Sequence, residues 1–154
     1  MSQSIEQDVR VLMDREEIKE LTARYCWHVM RGEGAKIVDL FTDDASFDNS
    51  ANAGSIANGR AELLNFYEGI RPLQALPFIH NHIIAVNGDE ASGTCAIEGR
   101  FTRKEESLTG AGYYEDKYRR VHGKWRFAAR KLFLHHMVPL KDGWASAHRV
   151  KTAP

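Results

Sequence analysis

Four long runs of strand-forming residues fill the C-terminal half of this 154-residue chain, and they restrict its fold more than any other feature. The Asn-Gly pair at 87–88 and the His-Gly pair at 122–123 tolerate the positive φ angles of tight turns, so each predicts a hairpin. A polar loop near Glu105 joins the two middle runs. Glycines within the runs predict bends or bulges, as in a strongly curved sheet. The runs are residues 77–86, 90–102, 110–121 and 124–138.

The N-terminal half has a helical pattern instead. Asp14 followed by Glu17 has the spacing of a capping box, so the first long helix is predicted to begin at Asp14. Gly32 and Gly34 are predicted to end it. The remaining predicted elements are a short helix at 36–41, a strand at 45–48, an irregular loop at 49–59 and a helix at 60–69.

Helices followed by a strand meander predict an α+β fold, in which a curved antiparallel sheet wraps on three N-terminal helices. Such a sheet forms a cone-shaped barrel whose interior is a usual place for a small-molecule pocket. The length is that of one domain, predicted at 8–140 between a flexible N-terminus at 1–7 and a C-terminal tail at 141–154.

Composition excludes several functional classes. Lys plus Arg and Asp plus Glu each number 21, and this balance argues against a nucleic-acid-binding protein. No apolar run approaches the roughly 20 residues of a membrane helix, and no signal segment is evident. Cys26 and Cys95 form neither a disulfide framework nor a four-ligand zinc site. These features predict a soluble cytoplasmic protein.

An ordered set of short segments extends over about residues 8–140. The segments are residues 14–18, 23–25 and 40–45, Asn81 with 86–91, and 112–116 with 123–127. In order and spacing they resemble the SnoaL-like family of the nuclear-transport-factor-2-like superfamily. This resemblance implies a cone-shaped α+β barrel that forms homodimers or homotrimers through the outer face of its sheet. It also implies cofactor-free chemistry on hydrophobic molecules, by dehydratases, isomerases, cyclases and a dehydrochlorinase of hexachlorocyclohexane.

The chain departs from this family at the catalytic positions. Dehydratase-type members use an Asp late in the first helix to orient a His early in the first long strand, and the His removes a proton. The corresponding positions here hold Met30 and Pro77, which cannot transfer a proton. Arg130 does match the pocket arginine of the dehydrochlorinase.

Histidines of the first long strand are the leading candidates for the base. His80 and His82 share strand parity with Ile84 and Val86, so both are predicted to face inward. One of them would replace the missing family histidine. The alternative is a hydrogen-bonded barrel histidine, or one on a bulge facing water.

Tyr25 and Arg130 are predicted to stabilise negative charge on a substrate oxygen. Tyr25 lies on the apolar stripe of the first helix, and its alternative role is that of a core tyrosine. Arg130 shares parity with the apolar residues of the last strand, and its alternative is a structural pair with Asp116 or Glu98. His28, one turn after Tyr25, either reaches the same space or packs against another helix.

Three further residues are predicted to line the pocket with Met30 and His28. Asp48 would partner a histidine, or else cap a turn. On their respective strands, Tyr114 and His136 are the residues whose side chains are predicted to face inward. The His80-x-His82 spacing suits a metal only with a third ligand such as His28 or His136, so neither metal nor cofactor is expected.

Two hypotheses follow for function. The first is a cofactor-independent lyase or isomerase that acts on a hydrophobic, aromatic or polycyclic molecule by dehydration, a double-bond shift or retro-aldol-type cleavage. The second is a non-catalytic binding or accessory subunit, such as the β subunit of ring-hydroxylating dioxygenases. The cluster of histidines with Arg130 favours the first, and the loss of the Asp–His dyad favours the second.

Overall fold

A computed structural model describes residues 4–52 and 54–145, and its architecture is α+β as predicted. A six-stranded sheet in the order β2-β1-β6-β5-β4-β3 packs against the helices and remains open, with β2 and β3 at its edges. Strand β1 runs parallel to β6, and the other neighbours are antiparallel. Part of each predicted loose end, residues 1–3 and 146–154, lies outside the described residues. The elements are α1 (Ile5–Arg31), α2 (Gly34–Val38), β1 (Phe41–Asp48), β2 (Ile56–Asn58), α3 (Gly59–Ile70), β3 (Leu76–Asn87), β4 (Glu90–Arg103), β5 (Glu106–Val121) and β6 (Lys124–Pro139).

Helix α1 begins nine residues earlier than predicted. Ser4 and Gln7 form the capping box, in which the Ser4 side chain accepts from the Gln7 amide and the Gln7 side chain accepts from the Ser4 amide. The predicted start at Asp14 is therefore wrong. Gly32 does end the helix, because it adopts the left-handed conformation and its N–H bonds back to carbonyls of the last turn. None of the described helices is long and apolar enough to cross a bilayer.

Asp14 joins α1 to the hairpin between β5 and β6. Its buried carboxylate accepts hydrogen bonds from Arg120 Nη2 at 2.7 Å and from Trp125 Nε1 at 3.2 Å. Arg120 also pairs with the exposed Asp89. Asp14 thus holds α1 against the β5–β6 hairpin and does not cap the helix terminus.

We predict that Asp14→Ala lowers the free energy of unfolding by about 2–4 kcal/mol, because it removes two buried charge-assisted hydrogen bonds. Glu20→Ala is the matched control, since Glu20 pairs with Arg24 on the exposed face of the same helix. That variant should cost under about 1 kcal/mol. Urea denaturation of both variants checks the difference, and equal losses would contradict this role of Asp14.

A bulge in β3 changes which of its side chains face inward. The register against β4 shifts between His80 and Ile83, and Asn81 adopts a φ of 53°. Before the bulge Pro77 is buried, and after it Ile84 is buried. The prediction that His80 and His82 share a face is therefore wrong, because the extra residue at the bulge reverses the alternation.

The interior of the sheet is filled with aromatic side chains. Tyr25, Phe41 and Phe127 pack together with ring centroids 5.0–6.3 Å apart, and the Tyr118 ring packs at a tilt against Phe127 at 5.4 Å. Since these rings occupy the centre of the cone, the cavity that adjoins α1 lies to one side, between this helix and β3.

Candidate functional site

A cavity of about 600 Å³ separates α1 from the edge strand β3. Met30 and Pro77, at the family's acid–base positions, both line it. So does His82, at the point where the bulge turns the strand inward. The lining residues are Lys19, Thr22, Ala23, Cys26, Trp27 and Met30 from α1, and Leu76, Pro77, Phe78, Ile79, His80, Asn81 and His82 from β3.

A series of hydrogen-bonded side chains extends from this cavity into the core. His82 Nε2 lies 3.1 Å from the Tyr118 hydroxyl, which donates to Asp116 Oδ2 at 2.8 Å. Arg130 donates to both oxygens of Asp116, from Nε at 2.9 Å and from Nη2 at 3.0 Å. Gly93 leaves room for this chain, because a Cβ there would come within 3.3 Å of His82 Nε2 and 3.2 Å of the Tyr118 ring.

The hydrogen bonds determine the tautomer of His82. An ionised Asp116 only accepts hydrogen bonds, so the single hydroxyl proton of Tyr118 points to Asp116. The Tyr118 oxygen must then accept from His82 Nε2–H. In the neutral ring this leaves the lone pair on Nδ1, which is the form required of a base.

The surroundings of His82 keep the ring neutral. Partial burial lowers its pKa from the usual 6.5, the positive charges of Arg130 and Lys19 lower it further, and Asp116 opposes them. A proton taken up by Nδ1 would place an imidazolium close to the Asp116 carboxylate, which stabilises the charge as it forms. The arrangement therefore combines a neutral base with a carboxylate that acts through Tyr118.

The ion pair behind Tyr118 is completely buried. The Arg130 guanidinium lies over the rings of Tyr25, Tyr114 and Phe127, at 3.8–4.4 Å from their centroids. Burial opposes the charge of Arg130, but Asp116 and the surrounding groups hold the pKa of Arg130 well above its ordinary value. Its Nη1 makes no hydrogen bond within the described part of the chain.

His82, Cys95 and Asp116 offer three potential metal ligands within 4.8 Å of one another. Two features disfavour a cation there. Arg130 occupies both oxygens of Asp116 and lies 3.8 Å from Cys95 Sγ. Burial raises the pKa of Cys95 to about 12, so its thiol stays protonated.

The predicted oxyanion groups lie in the core and not on the cavity. Tyr25 is buried, and its hydroxyl accepts from Tyr67 at 3.2 Å. Tyr114, predicted to line the pocket, is buried against Arg130. Arg130 is paired with Asp116, the structural alternative considered from the sequence.

The other candidates have different partners. His80 also contributes to the cavity lining, but its side chain is 51% exposed and faces Glu98 at 3.5 Å. His28 Nδ1 lies 2.6 Å from Glu33. Asp48 accepts from Ser50 in the following turn and pairs with Lys131, as expected of a turn cap.

His136 is also separated from the cavity. A register shift between Ala111 and Gly112 places it opposite Ala111, and it stacks on the exposed Trp144 at 5.7 Å. Of the candidates from sequence, the structure brings together Met30, His80 and His82 on the cavity, with Arg130 behind His82.

Tyr118 and Lys19 were not singled out from the sequence. The alternation Tyr114, Asp116, Tyr118 on one face of β5 was the available signal for Tyr118, since a carboxylate between two inward tyrosines needs a buried partner. Lys19 carried no such signal, because it lies among other charged residues on α1.

Comparison with known proteins defines the family. A model of the SnoaL-like domain matches residues 10–131. The chain belongs to this SnoaL-like family. No curated protein matched the sequence.

Several solved structures share the fold. LinA superimposes with a TM-score of 0.78 at 20% identity, over 96% of this chain and 98% of LinA. An NTF2-like protein with a cystatin-like fold from Novosphingobium aromaticivorans gives 0.69 at 25% identity, over 93% and 92% of the chains. A protein from the same organism that is assigned as a scytalone dehydratase gives 0.76 at 20% identity, over 93% and 97%. The SnoaL-like protein described here therefore has the NTF2-like fold over nearly its whole length.

Proposed function

We propose that this SnoaL-like protein is a cofactor-independent lyase or isomerase that binds a hydrophobic small molecule between α1 and β3. His82 is its general base. Family membership supports this class of chemistry, as does the fold shared with a protein assigned as a scytalone dehydratase. The apolar lining of the cavity suits a hydrophobic substrate.

The observation that carries the proposal is the chain His82–Tyr118–Asp116–Arg130. A structural histidine would need only one hydrogen-bond partner. Here the partner is itself oriented by a buried carboxylate, and that carboxylate is fixed by a fully buried arginine. Holding a base in one tautomer with a second residue is the usual logic of an acid–base pair, and it takes the place of the family's Asp–His dyad.

The chemical step is a proton transfer. The substrate C–H bond breaks, its proton binds His82 Nδ1, and its electron pair forms a new double bond. In a lyase the pair expels a leaving group such as hydroxide, which takes the proton back from His82 and departs as water. In an isomerase the proton returns to another carbon of the substrate. Both outcomes leave the protein unchanged.

A second candidate is a non-catalytic ligand-binding subunit. Met30 and Pro77 favour it, because the positions that carry the family's acid and base both line this cavity without titratable groups. In that case His82 would be only a lining residue of the binding cavity.

Hydrogen–deuterium exchange distinguishes the two candidates even when the product is unidentified. Aromatic and polycyclic compounds with oxygen substituents are first screened for binding, and each compound that binds is incubated with the protein in deuterated water. A catalyst introduces deuterium at a specific carbon or forms a new double bond by loss of water, and NMR detects either product. Binding with neither event, for every compound that binds, would overturn the enzymatic proposal in favour of the binding subunit.

We predict that stability decreases as the pH falls below about 6.5, the usual pKa of His, and that activity decreases only when the pH approaches the lower pKa of His82 in the folded protein. The folded state depresses the pKa of His82, so the unfolded chain binds more protons between that lowered pKa and 6.5. Stability therefore rises with pH across this interval. Burial also lowers the pKa of His136, so the parent carries two contributions of the same sign. The difference between parent and His82→Gln in urea denaturation at several pH values isolates His82, and parallel curves would contradict the depressed pKa.

A further inference from the structure

The cavity has a polar end and an apolar end. Lys19 and His82 are the lining residues of α1 and β3 that lie farthest along each element from Met30 and Leu76, so they define one end. Met30 and Leu76 lie together at the other, where both also line an adjoining cleft. Helix α1 and strand β3 therefore run in opposite directions along the cavity, with Trp27 on the wall toward the apolar end.

The cavity is long as well as polarised. Met30 is eleven positions after Lys19 along α1, which corresponds to roughly 16 Å at 1.5 Å per residue. A single aromatic ring would occupy only part of this length. An elongated molecule with its reactive group at the His82 end would fill the cavity.

The polar end carries a positive charge. Among the described lining residues Lys19 is the only permanent cation, and none is a carboxylate. Lys19 Nζ lies 2.5 Å from Glu16, but both side chains are solvent-exposed, so this ion pair is weak. An ammonium group has three donors, and this pair uses one of them.

We propose that the substrate is an elongated carbonyl compound, and that Lys19 binds the oxygen on which negative charge develops. Its apolar body lies along Trp27 toward Met30 and Leu76, and its carbonyl lies between Lys19 and His82. This inference rests on the proposed function and names the substrate class for it.

The proposed step balances without any other reactant. The C–H bond next to the carbonyl breaks, and His82 Nδ1 takes the proton. The electron pair moves onto the carbonyl oxygen as an enolate, which the Lys19 ammonium stabilises. Return of the electrons either expels a β-substituent, which leaves with the proton from His82, or forms a bond between that proton and a more distant carbon of a conjugated substrate. Both outcomes return His82 to its neutral form.

Nitrophenolates test this inference by binding alone. They are stable oxyanions on an aromatic body, and their visible absorption reports ionisation without interference from the protein. The two-ring probe is 2-nitro-4-phenylphenol, and 2-nitrophenol is its one-ring counterpart. We expect the bound two-ring probe to ionise with a pKa about one unit below that of the free probe, which is a tenfold preference for the anion.

Two substitutions locate the oxygen and the body of the probe. Lys19→Met should abolish the preference for the anion, whereas Lys36→Met should leave it unchanged. Lys36 is the matched control because its exposed ammonium forms a similar pair with Glu33, three residues away, and does not line the cavity. Met30→Trp should weaken binding of the two-ring probe about tenfold by filling the apolar end, with little effect on 2-nitrophenol.

The inference is overturned if the two-ring probe does not bind, if Lys19→Met titrates like the parent, or if Met30→Trp affects both probes equally. These results do not depend on turnover. If the inference is correct and His82 is not the base, the anion preference persists although no exchange is seen. If the inference is wrong and His82 is the base, exchange occurs on compounds that show no dependence on Lys19.

Discussion

His82→Gln is expected to lower the rate of deuterium exchange by about 10²–10⁴-fold, the usual cost of removing a general base. Glutamine keeps a hydrogen-bond donor for the Tyr118 oxygen but has no lone pair that accepts a proton at neutral pH. The comparison is made on a compound that the parent exchanges, with NMR to follow the rate.

His80→Gln is the matched control for this variant. It removes the same chemical group from the same cavity lining two residues away, where the side chain is half-exposed and faces Glu98 instead of Tyr118. Its exchange rate should stay within about twofold of the parent, because surface substitutions of this kind leave the remaining structure intact. A parent-like rate in His82→Gln, with ligand binding retained, would place the base elsewhere.

Arg130→Met is expected to lower the free energy of unfolding by about 3–5 kcal/mol, since it leaves the Asp116 carboxylate buried without its counter-charge. Arg130 and Asp116 are both fully buried, so water cannot replace the lost partner. Urea denaturation followed by circular dichroism measures the loss.

The double variant Arg130→Met with Asp116→Leu removes both charges. Its free energy of unfolding therefore shows how much of the loss in Arg130→Met comes from the unpaired Asp116 charge, and how much from the absence of the ion pair. Two apolar residues in place of a buried ion pair are often neutral for stability. The double variant should therefore be more stable than Arg130→Met alone. It should also lose exchange activity, because the Tyr118 hydroxyl no longer has a fixed direction. A double variant that is less stable than either single one would contradict this account of the pair.

The fold was largely predictable because its signals are local. The turns at 87–88 and 122–123 contain a glycine with positive φ at the second position, and both hairpins form there. The end of α1 at Gly32 has the same physical origin. The start of α1 was misplaced because Asp14 and Glu17 have the spacing of a capping box, although Asp14 is committed to Arg120 and Trp125, more than 100 residues away.

The candidate site was less predictable because it depends on contacts between distant strands. Strand alternation correctly indicated that Arg130 faces inward, and Asp116 was one of its two considered partners. Alternation gave the wrong direction for His80, because the strand has a bulge at Asn81. This bulge depends on the pairing with β4, and no glycine at that position indicated it in the sequence. The hydrogen bonds from Asp116 through Tyr118 to His82 connect β5 to the edge strand β3 across β4. The spacing of residues within a single strand cannot predict such a connection.

In the proposed mechanism His82 is a neutral base protonated on Nε2. Long-range ¹H–¹⁵N correlation spectra of the histidine side chains test it directly, with the spectrum of His82→Gln to assign the signals. At neutral pH we expect His82 to show a protonated Nε2 and a proton-free Nδ1, and Tyr118→Phe to relax this preference because it removes the acceptor. An imidazolium at neutral pH, or a ring protonated on Nδ1, would contradict the claim.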